Sequence, residues 1–300
     1  MSFFRLKNMP SFEVITNAFN YTMKTILVIN DYSAEAANAA KMALNIGRKV
    51  AADIIIANTV KVNEKTQVKG GLQMAGSSTI VPDEPEVNLV TQLESINGSE
   101  DDYKPVITVI DASLFSETNL AELIIKNDIW LMVKGIRNNP GANQSGYSLN
   151  AQAVLNRVRC PLMLVPESFV AKDFERIVYI NDLRYCRLLI IKYLVSLAKT
   201  TNARLQVAHL SANGMPDMEQ HYSEHFFAET VSLNCNYDQM FFSNIKERDI
   251  NKAVDVMING LHADLLVLVN HRFHLEEILG IYIPVTLPEN ITVPLLIFPC

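Results

Sequence analysis

An apolar run that ends in Asn-Asp occurs twice in this chain, once near the start and once near the middle. The first copy is KTILVIND at residues 24–31, and the second is ERIVYIND at residues 175–182. Continuous apolar runs of this length are typical of strands that are buried on both faces, as in a parallel sheet. The repetition predicts two copies of one sheet-forming unit, placed end to end.

Each copy is followed by a segment of helix length and then by a further apolar segment. The predicted helices are Ser33–Val50 and Tyr185–Thr200, and the predicted second strands are Asp53–Thr59 and Ala203–Leu210. A strand, a helix and a parallel strand in this order form a crossover unit, which is almost always right-handed. Both halves therefore open with the same unit.

The two halves stay in step after this unit. The predicted third strands are Val106–Ile110 in the first half and Gln239–Ser243 in the second. The predicted third helices are Glu117–Lys126 and Asp249–Leu261. The predicted fourth strands are Ile129–Lys134 and Asp264–Asn270. Alternation of strands and helices is typical of α/β folds with a doubly wound parallel sheet. We therefore predict two tandem doubly wound domains.

Both halves close on a strand that begins after a proline. RCPLMLVP at residues 159–166 matches TVPLLIFP at residues 292–299, and proline suits a sheet edge because it lacks the N–H that a central strand donates. We place an N-terminal extension at 1–23, the first domain at 24–168 and the second, more divergent domain at 174–300. Each domain is expected to form its own sheet.

Composition and charge exclude several functions for this chain of 300 residues. The net charge is −6 and Lys and Arg do not cluster, which argues against nucleic-acid binding. No apolar run approaches the ~20 residues that cross a membrane, and residues 1–23 lack the pattern of a secretory signal. The four cysteines show no CxxC spacing, as in proteins that keep reduced thiols. We expect a cytoplasmic protein.

These features together resemble the universal stress protein family in its tandem form. The resemblance rests on the first strand ending at Asp31, on Val154-Leu155 leading to Cys160-Pro161-Leu162, and on the second-half counterparts. It implies an adenine nucleotide alpha hydrolase-like fold with flavodoxin-like layering and a regulatory role in stress response. It also implies that the closing strands pair the two domains as an internal pseudo-dimer, and it leaves open whether two chains form a homodimer.

Family members that bind ATP carry Gly-x-x-Gly, nine residues and Gly-Ser or Gly-Thr after the fourth strand. Here Gly135 matches the first glycine, Asn138 replaces the second, and Ser148-Leu149 replaces Gly-Ser. The resemblance implies a degenerate ATP or AMP site in the first domain, formed by Asp31, Gly135, Arg137, Asn138, Ser148 and Leu149. The second domain has no glycine between Asn270 and Gly280, so no nucleotide is expected there, and Asp182 is expected to begin a turn or helix.

Histidines provide the sequence's weak signals for catalysis. His221, Glu224 and His225 fit the His-x-x-Glu-His pattern of inverted zinc proteases, but we expect this pair to face solvent. His271 and His274 follow the fourth strand of the second domain, either as surface histidines or as the closure of a vestigial pocket. The chain lacks a Gly-x-Ser-x-Gly elbow and a phosphate loop of the Gly-x-x-x-x-Gly-Lys-Ser/Thr type. We therefore predict a protein that is not an enzyme.

Two other functions remain open on these residues. A nucleotide-independent protein-binding module would use either the Gly- and Pro-rich loop at 61–85 or the altered face of the second domain. A weak ATPase or zinc-dependent hydrolase is the remaining alternative.

Overall fold

A computed structural model describes residues 23–60, 85–96, 103–137, 150–212, 214–270, 273–280 and 286–300. The elements of the first half in these ranges are β1 (Lys24–Asn30), α1 (Ala34–Val50), β2 (Ala52–Asn58), α2 (Pro85–Ile96), β3 (Ile107–Asp111), α3 (Glu117–Lys126), β4 (Ile129–Ile136), α4 (Ala151–Leu155) and β5 (Leu162–Pro166).

The second half repeats this order of strands. Its elements are β6 (Arg176–Asn181), α5 (Leu188–Thr201), β7 (Arg204–Leu210), α6 (Gln220–Phe226), α7 (Leu233–Cys235), β8 (Met240–Ile245), α8 (Ile250–Asp255), β9 (Leu265–Val269), α9 (Phe273–Leu279) and β10 (Leu295–Phe298). The π-helical segments Phe227–Ser232 and Val256–Gly260 continue α6 and α8, respectively.

Within the described residues, the strands form one sheet in the order β3-β2-β1-β4-β5-β10-β9-β6-β7-β8. Each half is parallel and has the same order of its own strands: third, second, first, fourth, fifth. The doubly wound fold is therefore confirmed. The expectation of two separate sheets is wrong, because β5 pairs antiparallel with β10 and joins the halves. The proposed boundary between 168 and 174 stays a prediction.

Helix α1 lies close to the first-half sheet because its inner face carries small side chains. Ser33 caps the helix, accepting a hydrogen bond from the Ala36 backbone N–H at 3.1 Å. The buried face includes Ala36, Ala39, Ala40 and Ala43, none of which extends beyond Cβ. The first turn of the helix can therefore approach the ends of β1 and β4.

Helix α5 begins later than the sequence indicated. The prediction of a helix from Tyr185 is wrong at its start, since Leu183–Tyr185 forms a 3-10 turn and α5 begins at Leu188. The Asp182 side chain accepts from the Arg184 backbone N–H at 3.1 Å and stabilises this turn. The N-terminus of α5 thus lies further along the chain from its strand than that of α1.

An aromatic cluster spans the junction between the halves. The rings of Trp130 in β4 and Tyr193 in α5 stack with centroids 4.6 Å apart, and Tyr193 meets Phe298 of β10 edge-on at 5.1 Å. The Tyr193 hydroxyl donates to the Trp130 carbonyl oxygen at 3.3 Å. Stacked aromatic rings add stability beyond the apolar area that they bury. This cluster therefore couples the two halves.

Replacing Tyr193→Ala should lower the free energy of unfolding by about 2 kcal/mol, because it removes the stack and leaves a cavity. It should also shift the emission of Trp130, the chain's only tryptophan, to longer wavelength. Urea denaturation followed by fluorescence measures both. The control is Tyr222→Ala, whose side chain is exposed and should change stability by less than about 0.5 kcal/mol. Unchanged emission in Tyr193→Ala would exclude the coupling role.

Candidate functional site

The strand order of each half reverses between its first and fourth strands. In doubly wound sheets, ligands bind at the carboxyl ends of the strands beside this reversal, which is the topological switch point. In the first half this place lies between the ends of β1 and β4, and in the second half between the ends of β6 and β9.

Asp31 follows β1 directly and is exposed. Its Oδ1 accepts hydrogen bonds from the backbone N–H of Ser33 at 3.1 Å and from the Ser33 hydroxyl at 2.5 Å. Ser33 is itself the cap of α1. The carboxylate therefore holds the residue that begins the helix, in addition to any role toward a ligand.

Gly135 is required by the close approach of α1. A Cβ atom at this position would lie 2.2 Å from the carbonyl carbon and oxygen of Glu35 and 2.6 Å from the backbone nitrogen of Ala36. Contacts this short with backbone atoms do not occur, so only glycine fits without movement of the helix. The first glycine of the expected nucleotide motif thus lies directly against the first turn of α1.

Arg137 forms an ion pair with Glu35 through its Nε atom. Glu35 is only 3% exposed, and its Oε2 atom has no hydrogen-bond partner among the described residues. Burying a carboxylate is costly unless a cation accompanies it, so this pair holds both groups in place. The structure brings Gly135 and Arg137 together with Glu35, a residue that the motif search did not include.

Lys134 is a second first-half residue that sequence reasoning missed. It lies in β4 beside Gly135, where burial lowers the pKa of its ammonium group and the negative charge of Asp31 raises it in part. A lysine within an otherwise apolar strand is the sequence signal that could have identified it. The predicted site residues Asn138, Ser148 and Leu149 lie outside the described residues, as do His271 and the loop at 61–84.

The second-half switch point is built around Asp182, which is buried. Its carboxylate accepts from Nε and Nη2 of Arg184, at 2.8 and 2.5 Å, and from the backbone N–H groups of Arg184 and Ala212, each at 3.1 Å. Burial alone would raise the pKa of Asp182, but these hydrogen bonds and the Arg184 charge outweigh it and lower the pKa. Asp182 begins a turn, as predicted.

Two histidines lie buried near this aspartate. His209 Nδ1 accepts from the backbone N–H of Leu183 at 3.2 Å, and His274 Nε2 lies 2.8 Å from the Leu210 carbonyl oxygen. Burial lowers the pKa of both imidazoles, and Asp182 offsets this in part. The prediction that His274 is a surface histidine is wrong, because it is 4% exposed, and the alternative of pocket closure is the one observed.

A small cleft lies at this second switch point, and its cavity volume of about 20 Å³ has room for about one water molecule. Its lining residues are Tyr179, Ile180, Asn181, Asp182, Tyr185, Val269 and His274. The cleft combines aromatic and apolar walls with a few polar groups. We name it the switch-point cleft.

The His221 and His225 side chains are both exposed on α6, as predicted. His225 Nδ1 lies 3.4 Å from Glu229 Oε1 on the next turn. In the part of the chain that the structure describes, no three His, Cys, Asp or Glu side chains are grouped to hold a metal ion. The helices of the described ranges include none with the length and apolar character needed to cross a bilayer.

Gly135→Ala should lower the free energy of unfolding by about 3 kcal/mol, because the new methyl group must displace the first turn of α1. Urea denaturation monitored by circular dichroism measures this loss. Gly260→Ala is the matched control, since its Cβ would meet only Val256 Cγ1 at an ordinary 3.5 Å. Equal stability of the two variants would contradict the close packing at Gly135.

Stability should fall as the pH is lowered from about 7 to about 5. An unfolded histidine has a pKa of about 6.5, whereas burial lowers the pKa of His209 and His274 below this value in the fold. Below pH 6.5 the unfolded chain therefore binds protons that the folded chain does not, and each histidine contributes a slope of up to about 1.4 kcal/mol per pH unit. Asp182 affects stability only at lower pH. Because the fold lowers the pKa of its carboxyl group, its contribution to stability is lost as the pH falls below about 4.

His209→Asn should flatten this slope in urea denaturation at a series of pH values. His221→Asn, which changes an exposed histidine, should leave the slope as it is. A slope that is the same in the wild type and in His209→Asn would rule out the buried neutral imidazole as its source.

Residues 22–166 match the model of the universal stress protein family. A universal stress protein from Archaeoglobus fulgidus DSM 4304 has a similar structure, with a TM-score of 0.58 and 11% identity over 93% of this chain and 99% of that one. A putative universal stress protein from Pseudomonas aeruginosa UCBPP-PA14 is also similar in structure. Its TM-score is 0.50, with 13% identity over 92% of this chain and 93% of that one. No curated protein sequence matches the chain significantly.

At these identities the two solved structures show that the fold extends over both halves, and the family model identifies the first half. Residues 22–166 therefore form a domain of the universal stress protein family.

Proposed function

We propose that this protein is a non-catalytic regulator of the stress-response type, whose first half has at most a degenerate site for ATP or AMP. The observation that carries the proposal is the ion pair that the buried Glu35 forms with the partly exposed Arg137 beside Gly135. Family membership supports the stress-response role in general terms.

A nucleotide phosphate needs backbone N–H groups and cations that are free to approach it. Beside Gly135, the Arg137 guanidinium already forms an ion pair with Glu35. The second carboxylate oxygen of Glu35 is buried and adds negative charge next to Gly135. Like charges repel strongly where water is excluded. The Glu35–Arg137 pair therefore disfavours a triphosphate beside Gly135, which also supports nucleotide-independent protein binding as the second candidate function.

The acidic groups at the two switch points support a role without catalysis. A general acid or base must be able to exchange a proton with a reacting group within hydrogen-bond reach. Asp31 holds the cap of α1, and Asp182 is saturated by four hydrogen bonds with its pKa lowered. The Asp182 carboxylate is therefore fully engaged by the fold, and one oxygen of Asp31 holds the start of α1.

Titration calorimetry with ATP and with AMP tests the proposal. The wild type should give no binding heat below millimolar ligand, whereas Glu35→Gln should bind ATP about tenfold more tightly, because it removes the buried negative charge and releases Arg137. The control is Glu117→Gln, which makes the same change in the first turn of α3.

Two results would count against the proposal. Micromolar ATP binding by the wild type would show that the site is intact, and release of ADP from ATP by the purified chain would show that the protein is an enzyme. Protein partners that stay bound after nucleotide removal would favour the second candidate.

A further inference from the structure

Helix α6 carries a pair of exposed histidines that takes no part in either switch point. His221 and His225 are four residues apart, and their ring centroids lie 6.4 Å apart. Residues at this spacing are neighbours on one face of an α-helix. Two histidines placed in this way can donate nitrogen lone pairs to the same metal ion.

The inner face of α6 is fixed by Ser223, which lies between the two histidines. Ser223 is fully buried, and its hydroxyl oxygen accepts from Asn244 Nδ2 of β8 at 3.1 Å. Residues two apart on an α-helix are about 200° apart around its axis. The contact of Ser223 with the sheet therefore keeps His221 and His225 on the outer face of the helix.

A carboxylate lies beside one of the two rings. The distance from His225 Nδ1 to Glu229 Oε1 is 3.4 Å, and both side chains are more than half exposed. A carboxylate at Nδ1 favours the tautomer that has its proton on this nitrogen, which leaves the lone pair of Nε2 available to a metal ion. Metal-binding histidines commonly have such a partner, because it orients the ring.

The segment that carries this carboxylate is anchored to the sheet. The helix changes from α-helical to π-helical geometry directly after α6, and Glu229 lies in the π-helical segment Phe227–Ser232. Phe227 stacks on Phe242 of β8 with ring centroids 5.0 Å apart, and Val231 is fully buried. π-Helical turns are rare and frequently occur at functional sites. The position of Glu229 relative to His225 is therefore set by the fold.

The charges around the histidine pair favour a cation. Residues 217–239 contain five Asp and Glu residues and neither Lys nor Arg. Arg248, which follows β8, pairs with Asp217 at 3.3 Å. Clustered charge of one sign raises the local concentration of ions of the opposite sign. The face that presents the two imidazoles thus attracts a metal cation.

The ligand atoms select the class of this ion. Imidazole nitrogen suits Cu²⁺, Ni²⁺ and Zn²⁺, whereas Mg²⁺ and Ca²⁺ prefer oxygen ligands. A closed structural site uses four protein ligands, and the described residues contain no cluster of even three His, Cys, Asp or Glu side chains that could form one. Two histidines leave the other coordination positions open to water.

We propose that His221 and His225 form a two-histidine surface site for a divalent transition-metal ion of the Cu²⁺, Ni²⁺ and Zn²⁺ class. Glu229 is the positioning residue for His225. Glu224, the glutamate of the His-x-x-Glu-His pattern, takes no part, because its carboxylate accepts from the Gln220 amide at 2.9 Å. The site is independent of the first-half nucleotide proposal.

The test is titration calorimetry of the full-length chain with NiCl₂ and with ZnCl₂. One ion should bind per chain with micromolar affinity, and MgCl₂ at the same concentration should give no binding heat, because Mg²⁺ prefers oxygen ligands. His221→Ala and His225→Ala should each weaken Ni²⁺ binding at least about tenfold, since each removes one ligand. Both histidines are exposed, so the variants should keep the fold.

Two further variants test the role of Glu229. Glu229→Ala should weaken Ni²⁺ binding about tenfold, because the His225 ring is no longer oriented. Glu229→Gln should restore part of this affinity, to within about threefold of the wild type, since its carbonyl oxygen still accepts from Nδ1.

The matched control is His262→Asn. His262 is also exposed, and its φ of 53° is one that asparagine adopts, so this variant removes a histidine without straining the backbone. Its affinity for Ni²⁺ should equal that of the wild type.

The proposal would be overturned if neither Ni²⁺ nor Zn²⁺ gave binding heat at millimolar concentration. It would also be overturned if a chain with both His221→Ala and His225→Ala bound these ions as tightly as the wild type, which would assign the binding to other ligands such as the exposed thiol of Cys300.

Discussion

The antiparallel pairing of β5 with β10 is the interaction on which the rest of the structure depends. Each closing strand is fully buried and apolar, and each would form an exposed edge if its half stood alone. Exposed apolar edges invite aggregation, because their backbone groups can pair with any other strand. By pairing with each other, the two edges remove this hazard and produce one sheet that spans both halves.

This arrangement places two switch points in one molecule, and the two have diverged. Both end the first strand with an asparagine and follow it with an aspartate, but the groups around them differ. In the first half, Glu35 and the close approach of α1 fill the place beside Gly135. In the second half, a turn delays α5, and the buried Asn181 side chain has no hydrogen-bond partner among the described residues. A duplicated chain can change one site while the other maintains the fold.

Much of the fold could be predicted from local patterns. Within the described residues, the apolar runs predicted the strands to within a few residues. The sequence also placed α3 correctly, from its cap Ser116 to its last residue, Lys126. The start of α5 could not be predicted in this way. It follows a 3-10 turn that Asp182 stabilises, and this turn is not visible in the helical periodicity of the segment.

The sequence by itself determined the repeat, the alternation of strands and helices along each half and the positions of Asp31, Gly135 and Asp182 at the strand ends, because these follow from short-range periodicity. Only the tertiary structure decided which partner each polar group has: Glu35 for Arg137, Arg184 and Ala212 for Asp182, and none among the described residues for Asn181. The physical reason is that hydrogen bonding and burial depend on distances across the sheet, which residues far apart in the chain set together.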